Sequence, residues 1–263
     1  MAEIPLEHTT IQNLDIAHGI CGDSEKQVLL LHGWGAHSGL VWPLAERLAH
    51  MGYHCYAPDL PGFGQSQEPP QPWTVYDYAD FVLKYMDAQG LERIYLFGHS
   101  FGGRLSLILG AEHGERIIKM ALADSAGIRP PTPFWPKLRL NTYKFIRDSL
   151  YRIGANALAD NLRQWYGKRY GSADYQAVSG VMRQTFIQVV NEDLQAFATR
   201  VHIPTLLFWG DKDEDTPLWQ GKKLEKIMPD AGLVVHEGAG HYSYLERLQE
   251  TARIMDYFFK QEA

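Results

Sequence analysis

The sequence predicts an α/β fold, a doubly wound and mostly parallel sheet with helices on both faces. Three observations carry this. Short apolar runs alternate with amphipathic stretches up to about residue 126, the alternation resumes after residue 200, and glycine-rich turns follow several of the runs. Residues 8 to 20 precede the first buried run and are expected to add one or two antiparallel edge strands. Gln27 to Leu31, His54 to Ala57, Arg93 to Phe97 and Ile117 to Ala123 then read as strands, because each is short, apolar and bounded by polar or glycine-containing turns. Val41 to Met51, Thr74 to Gln89 and Phe101 to His113 read as the helices between them. After residue 200 come a strand at Thr205 to Trp209, a helix at Pro217 to Ile227, a strand at Gly232 to His236 and a last helix from about Ser243. That last helix is expected to pack through Leu245, Leu248, Ile254, Tyr257 and Phe258.

The segment from Ile128 to Arg200 breaks the alternation. It contains helix-like stretches at Lys137 to Ile153, Ala155 to Tyr166 and Tyr175 to Val190, with no strand, so it reads as a helical insertion dividing the core into residues 1–127 and 201–263. Arg129-Pro130-Pro131-Thr132-Pro133 resists helix and is expected to form its stiff beginning, and His202-Ile203-Pro204 marks the return. Its charge sets it apart as well. The chain as a whole carries −6, yet residues 128–200 hold 11 Lys and Arg against 5 Asp and Glu, so they carry +6 and the remainder −12.

Composition excludes several classes of function. With 263 residues, 45% hydrophobic and 21% charged, the chain can bury one sizeable core and is not a disordered polymer. No stretch approaches the roughly 20 apolar residues of a membrane span. The acidic start, Met-Ala-Glu-Ile-Pro-Leu-Glu, has no basic region leading to an apolar run, so a cytoplasmic location is expected. The negative balance argues against nucleic acid as a partner. Cys21 and Cys55 are too few for a disulfide framework or a four-ligand zinc site and read as two buried or half-buried thiols. No metal motif and no dinucleotide fingerprint is present, so no cofactor is expected.

The strongest local signal is Gly98-His99-Ser100-Phe101-Gly102, between a strand and a helix. A serine at such a tight turn needs flanking glycines, and the turn lifts its hydroxyl over a helix N-terminus whose free N–H groups favour negative charge. The plainer reading is an N-capping serine. A serine hydroxyl is a weak nucleophile unless a base and an orienting group serve it. Asp213 follows the strand ending at Trp209, and His241 follows the strand ending at His236. The C-terminal ends of parallel strands share one sheet edge, so Ser100, Asp213 and His241 can converge there. Asp211 and Asp215 compete for the orienting role.

An oxyanion needs N–H donors, and Leu31-His32-Gly33-Trp34-Gly35 leaves a strand at the same edge. The backbone N–H groups of Trp34 and Phe101 are the expected donors, with Gly33 allowing close approach of substrate. His32 is expected to bind loop backbone rather than serve as the base. Asp59-Leu60-Pro61-Gly62-Phe63-Gly64-Gln65-Ser66 reads as a structural turn near the site. Arg104, one turn after Ser100, reads either as an ordinary salt-bridged or solvated helix residue or as a contact for an anionic substrate.

In these motifs, His32-Gly33-Trp34, Asp59 to Ser66, Gly98 to Gly103, Trp209-Gly210-x-x-Asp213-x-x-x-Pro217 and Gly240-His241, the chain resembles the α/β-hydrolase superfamily, over most of its length outside residues 128–200. The resemblance implies an eight-stranded sheet, a Ser100, His241, Asp213 triad and a helical cap inserted after the sixth strand at about 128–200. It is similar to the cap-bearing serine hydrolases: esterases, enol-lactonases and hydrolases of activated carbon–carbon bonds. Serine at position 100 sets it apart from relatives with an aspartate nucleophile. The expected function is hydrolysis of an ester, lactone or activated C–C bond of a small-molecule substrate, with a non-hydrolytic lyase or a slow-turnover ligand sensor as alternatives. The cap is expected to line the substrate site with Phe134, Trp135, Tyr143, Trp165, Tyr166 and Phe186. Its basic residues either favour acidic acyl groups or dock the cap on the acidic core. The oligomeric state is not indicated.

Overall fold

The computed structural model describes residues 4–129, 134–170 and 172–261. A hairpin opens the chain, β1 (Leu6–Ile11) and β2 (Leu14–Cys21), joined at Gln12 and Asn13, both at positive φ as a two-residue hairpin turn demands. Then follow β3 (Gln27–Leu31), α1 (Ser38–His50), β4 (His54–Pro58), α2 (Val75–Ala88), β5 (Ile94–His99), α3 (Phe101–Glu112) and β6 (Ile117–Ala123). Five helices come next: α4 (Phe134–Arg152), α5 (Asn156–Tyr170), α6 (Ala173–Ala177), α7 (Gly180–Asn191) and α8 (Gln195–Ala198). The chain closes with β7 (Thr205–Gly210), α9 (Trp219–Ile227), β8 (Ala231–His236), α10 (Ser243–Glu246) and α11 (Leu248–Lys260).

The eight strands form one sheet in the order β1-β2-β4-β3-β5-β6-β7-β8. β1 and β2 pair antiparallel with each other and β2 with β4, and every other neighbouring pair is parallel. The fold class is therefore the one the alternation predicts. Strands β3, β5 and β6 are apolar on both faces because both are covered: α1 and α11 lie over one, and α2, α3, α8 and α9 over the other. The Asp59 turn is structural in detail. Asp59 is buried and accepts the N–H groups of Ser38 (2.6 Å) and Gln65 (2.8 Å).

Two element readings need correction. The helix expected from Tyr175 to Val190 is two helices, because Val178 and Ser179 are extended and Gly180 sits at φ +52°. The last helix is likewise interrupted at Arg247. Leu245, Leu248, Ile254 and Phe258 pack partly buried against the core as expected, beside a fully buried stripe of Thr251, Ala252, Met255 and Phe259, whereas Tyr257 is 70% exposed. The proline-rich run expected to begin the insertion lies, at 130–133, outside the described residues. Among the described residues, no helix is long and apolar enough to cross a membrane.

Candidate active site

Parallel strands deliver three turns to one edge. Ser100 links β5 to α3 at φ +49°, ψ −105°, a conformation rare for a residue with a Cβ. The strain is held by close backbone packing. A Cβ on Gly98 would lie 2.7 Å from the carbonyl oxygen of Gly102, and one on Gly102 would collide with the carbonyl oxygen of Leu31, so no other residue fits either position. Ser100 N–H donates to Ala123 at 3.1 Å, which fixes the turn to the end of β6.

The loop after β7 carries Asp213, and the loop after β8 carries His241. The structure brings both to Ser100. The serine hydroxyl lies 3.0 Å from His241 Nε2, and His241 Nδ1 lies 2.9 Å from Asp213 Oδ2. A carboxylate can only accept, so Nδ1 carries the proton and Nε2 is left to accept from the serine. Asp213 also takes the N–H groups of Asp215 (2.8 Å) and Thr216 (2.9 Å), and the Thr216 hydroxyl at 2.6 Å. Burial alone would raise its carboxyl pKa, but the hydrogen bonds from His241 and Thr216 hold it below the usual range. For His241 burial works against the charged form, and the bond and charge of Asp213 outweigh it, so the imidazole pKa stands above its ordinary value. Of the competing acids, Asp211 is turned to the N–H of Gly238 at 2.7 Å, and Asp215 lines the cavity above the serine. Asp213, Asp215 and His241 form the one cluster among the described residues with metal-ligand proximity, but two of its members are already paired with each other.

The N–H groups of Trp34 and Phe101 donate to no protein acceptor among the described residues, and both residues line the cavity with Ser100. His32 behaves as its position suggests. Its Nδ1–H donates to Gly33 (2.8 Å), its Nε2 accepts from Leu60 (2.9 Å), and burial lowers its pKa to about 4. Gly33 is needed for close packing, since a Cβ there would lie 2.9 Å from His99 Nδ1.

The cavity has a volume of about 420 Å³. Gly33 and Phe186 line it, the latter packed on Trp34 with ring centroids 5.1 Å apart. Trp135, Tyr143, Trp165 and Tyr166 do not. They line a separate, outward cleft between α4 and α5, where Tyr143 and Tyr166 stack at 3.9 Å and Trp135 is 74% exposed. The reason is that α4 and α5 pack chiefly on each other, so their aromatic residues fill their own hairpin. The side chain of Phe134 lies outside the described residues. The insertion reaches the site instead through Ser172, Asp174 and the Phe186, Val189, Val190 face of α7.

Two supporting residues escape the motif reading. Asp124, buried at the end of β6, accepts Gly210 N–H (2.9 Å), Ser243 N–H (3.0 Å) and the Ser243 hydroxyl (2.7 Å), joining the loops of Asp213 and His241. Burial pushes its carboxyl up to about 7. Asp124 follows a strand at the same edge as the other three, but that position alone carries no motif. Thr216, which clamps Asp213, had no signal beyond adjacency.

Sequence and structure comparisons agree with this fold. The α/β hydrolase fold model matches residues 26–176, more than half of the chain, and a model for TAP-like proteins matches residues 185–262. The chain belongs to the α/β hydrolase family. Lipase 3 of Moraxella sp. is 27% identical over 86% of this chain and 75% of its own. The pimeloyl-[acyl-carrier protein] methyl ester esterase of Chromobacterium violaceum is 26% identical over 87% of this chain and 92% of its own. Among solved structures, a membrane phospholipase A described as a bacterial virulence factor superposes with a TM-score of 0.74 at 25% identity, covering 97% of this chain and 85% of that one. This α/β hydrolase family member is a hydrolase.

Proposed function

We propose that this hydrolase cleaves a carboxylic ester of a small molecule by two-step acyl transfer through Ser100, His241 and Asp213. The observation that carries the reading is the unbroken pair of hydrogen bonds, 3.0 Å from Ser100 to His241 and 2.9 Å from His241 to Asp213, beneath a cavity edged by two unused N–H groups. His241 takes the serine proton as the hydroxyl attacks the carbonyl, and Asp213 keeps the ring in the productive tautomer and stabilises the imidazolium. The N–H groups of Trp34 and Phe101 receive the oxyanion, where one donor contributes about 10²–10³ in rate. The imidazolium then protonates the leaving alkoxide, and water, activated by the same base, releases the acid. The curated relatives named lipase and methyl ester esterase support the ester, and one named 2-hydroxymuconate semialdehyde hydrolase supports the activated C–C bond as the second reading. Helices α4 to α8, within residues 128–200, serve in this reading as a cap whose α7 forms the substrate wall, tied to the core where Trp73 N–H donates to Thr185 Oγ1 at 3.0 Å.

The test is a panel of p-nitrophenyl esters, lactones and ring-fission dienoates with wild type and Ser100→Ala. Turnover of the esters that disappears in the variant, with fluorophosphonate labelling of Ser100 in the wild type, is the expected result. Undiminished ester turnover by Ser100→Ala would overturn the proposal.

A further inference from the structure

One cation in the cavity has no part in acyl transfer. Arg104 follows Ser100 by one turn of α3, is 7% exposed and lines the cavity above the serine. A buried guanidinium is ordinarily matched by a carboxylate, because removing its charge from water is costly. Arg104 has no such partner among the described residues. Of its five side-chain N–H groups, one on Nη1 donates to the backbone carbonyl of Glu192 at 2.9 Å, and no other acceptor among the described residues meets the guanidinium. Glu192 and Asp193 act on it from a distance, but both carboxylates are engaged elsewhere. Glu192 accepts the Tyr76 hydroxyl at 2.9 Å, and Asp193 holds the Gln195 amide at 2.7 Å. Burial lowers the guanidinium pKa only to about 10, so the charge persists at neutral pH.

The cavity is polarised as a result. Asp174 and Asp215, its two acidic lining residues, act on each other and on His241, whereas the charges acting on Arg104 are those of Glu192 and Asp193. Negative charge therefore gathers beside the base, and the one Lys or Arg among the described lining residues, Arg104, lies along α3 toward the end of α7. An anionic group on a substrate would be repelled from the first region and drawn to the second. The planar fork of an arginine with free N–H groups fits a carboxylate through two parallel bonds.

We propose that Arg104 forms an anion subsite that binds a carboxylate on the acyl part of the substrate, so that the ester cleaved is a half-ester of a dicarboxylic acid. This rests on the acyl-transfer reading above and names its substrate class. A purely structural Arg104, tethering α3 to the residues after α7, would affect charged and uncharged substrates alike.

The experiment compares mono-4-nitrophenyl glutarate with its uncharged analogue, methyl 4-nitrophenyl glutarate, in wild type, Arg104→Met and Arg104→Lys. Wild type is expected to favour the charged ester by about ten- to a hundredfold in kcat/KM, the range of a charge-assisted contact. The ratio should fall toward one in Arg104→Met, recover in part in Arg104→Lys and shrink with added salt. Equal kcat/KM for the two esters in wild type, or an unchanged ratio in Arg104→Met, would overturn the subsite. Should Arg104→Met fail to fold, the wild-type ratio and the Lys variant decide the matter. Glutarate itself should raise the melting temperature of Ser100→Ala, and no shift there counts against the subsite independently of turnover. The two readings fail separately: ester turnover surviving in Ser100→Ala removes the acyl-transfer reading, whereas Ser100-dependent turnover without charge preference removes only the subsite.

Discussion

His99, the residue immediately before the nucleophile, donates from Nε2 to the backbone carbonyl of His241 at 2.8 Å. The serine turn and the loop of the base are thus joined by a side chain as well as by the reacting groups. Burial lowers the His99 pKa to about 3, so the ring stays neutral and its Nε2–H remains a donor throughout the working pH range. His99→Leu should leave the His241 carbonyl without this donor, lower kcat about tenfold and change KM little, because the loss falls on the position of the base. Steady-state kinetics would show this, and an unchanged kcat would refute the tie.

The pH profile follows from the two partners of His241. Its pKa is raised above 6.5 in the folded protein, so the ring holds its proton to higher pH than a free imidazole. A base must be neutral to act, and activity is therefore lost as pH falls through that raised value. The acid limb of kcat/KM should have its midpoint above 6.5, and Asp213→Asn should move the midpoint down while reducing the rate severely. A wild-type midpoint at or below 6.5 contradicts the assignment.

Asp124→Ala should be costly without touching substrate. It leaves the buried N–H of Gly210 and of Ser243 without an acceptor, each worth about 1–3 kcal/mol. Denaturant unfolding should register a loss of about 3 kcal/mol, and the surviving folded enzyme should be slow because both loops have lost their common anchor. A variant within 0.5 kcal/mol of wild type, taken as roughly the spread for ordinary surface changes, would show that the anchor is dispensable.

Gly102→Ala tests the packing that sustains the serine turn. Its methyl group would collide with the carbonyl oxygen of Leu31, so β3 and α3 must part. A loss of about 1–3 kcal/mol or more in stability, with weakened fluorophosphonate labelling of Ser100, is expected. Labelling at the wild-type rate would mean that the turn tolerates a wider approach.

The sheet and the meeting of three distant residues were legible because both depend on simple periodicities. A parallel strand is a short apolar run, and its C-terminal end has a fixed place on the sheet, so Ser100, Asp213 and His241 could be located without knowing any loop geometry. What was illegible depends on orientation. Trp135, Tyr143 and Trp165 are the right residue types for an apolar wall, but whether a helix turns them toward the site or toward a neighbouring helix is set by the packing angle of α4 on α5, which no run of residues states. The same holds for Arg104, whose sequence position suits a solvated helix surface until α7 and the Glu192 carbonyl are seen to bury it. Asp124 was missed for a different reason, because a lone acid after a strand carries no motif until its three donors are known.

The aromatic hairpin of α4 and α5 keeps its own counsel, resting on the stacked pair Tyr143 and Tyr166. Substitutions on the outward face of this hairpin should therefore leave the spacing of the nucleophile and its base unaltered.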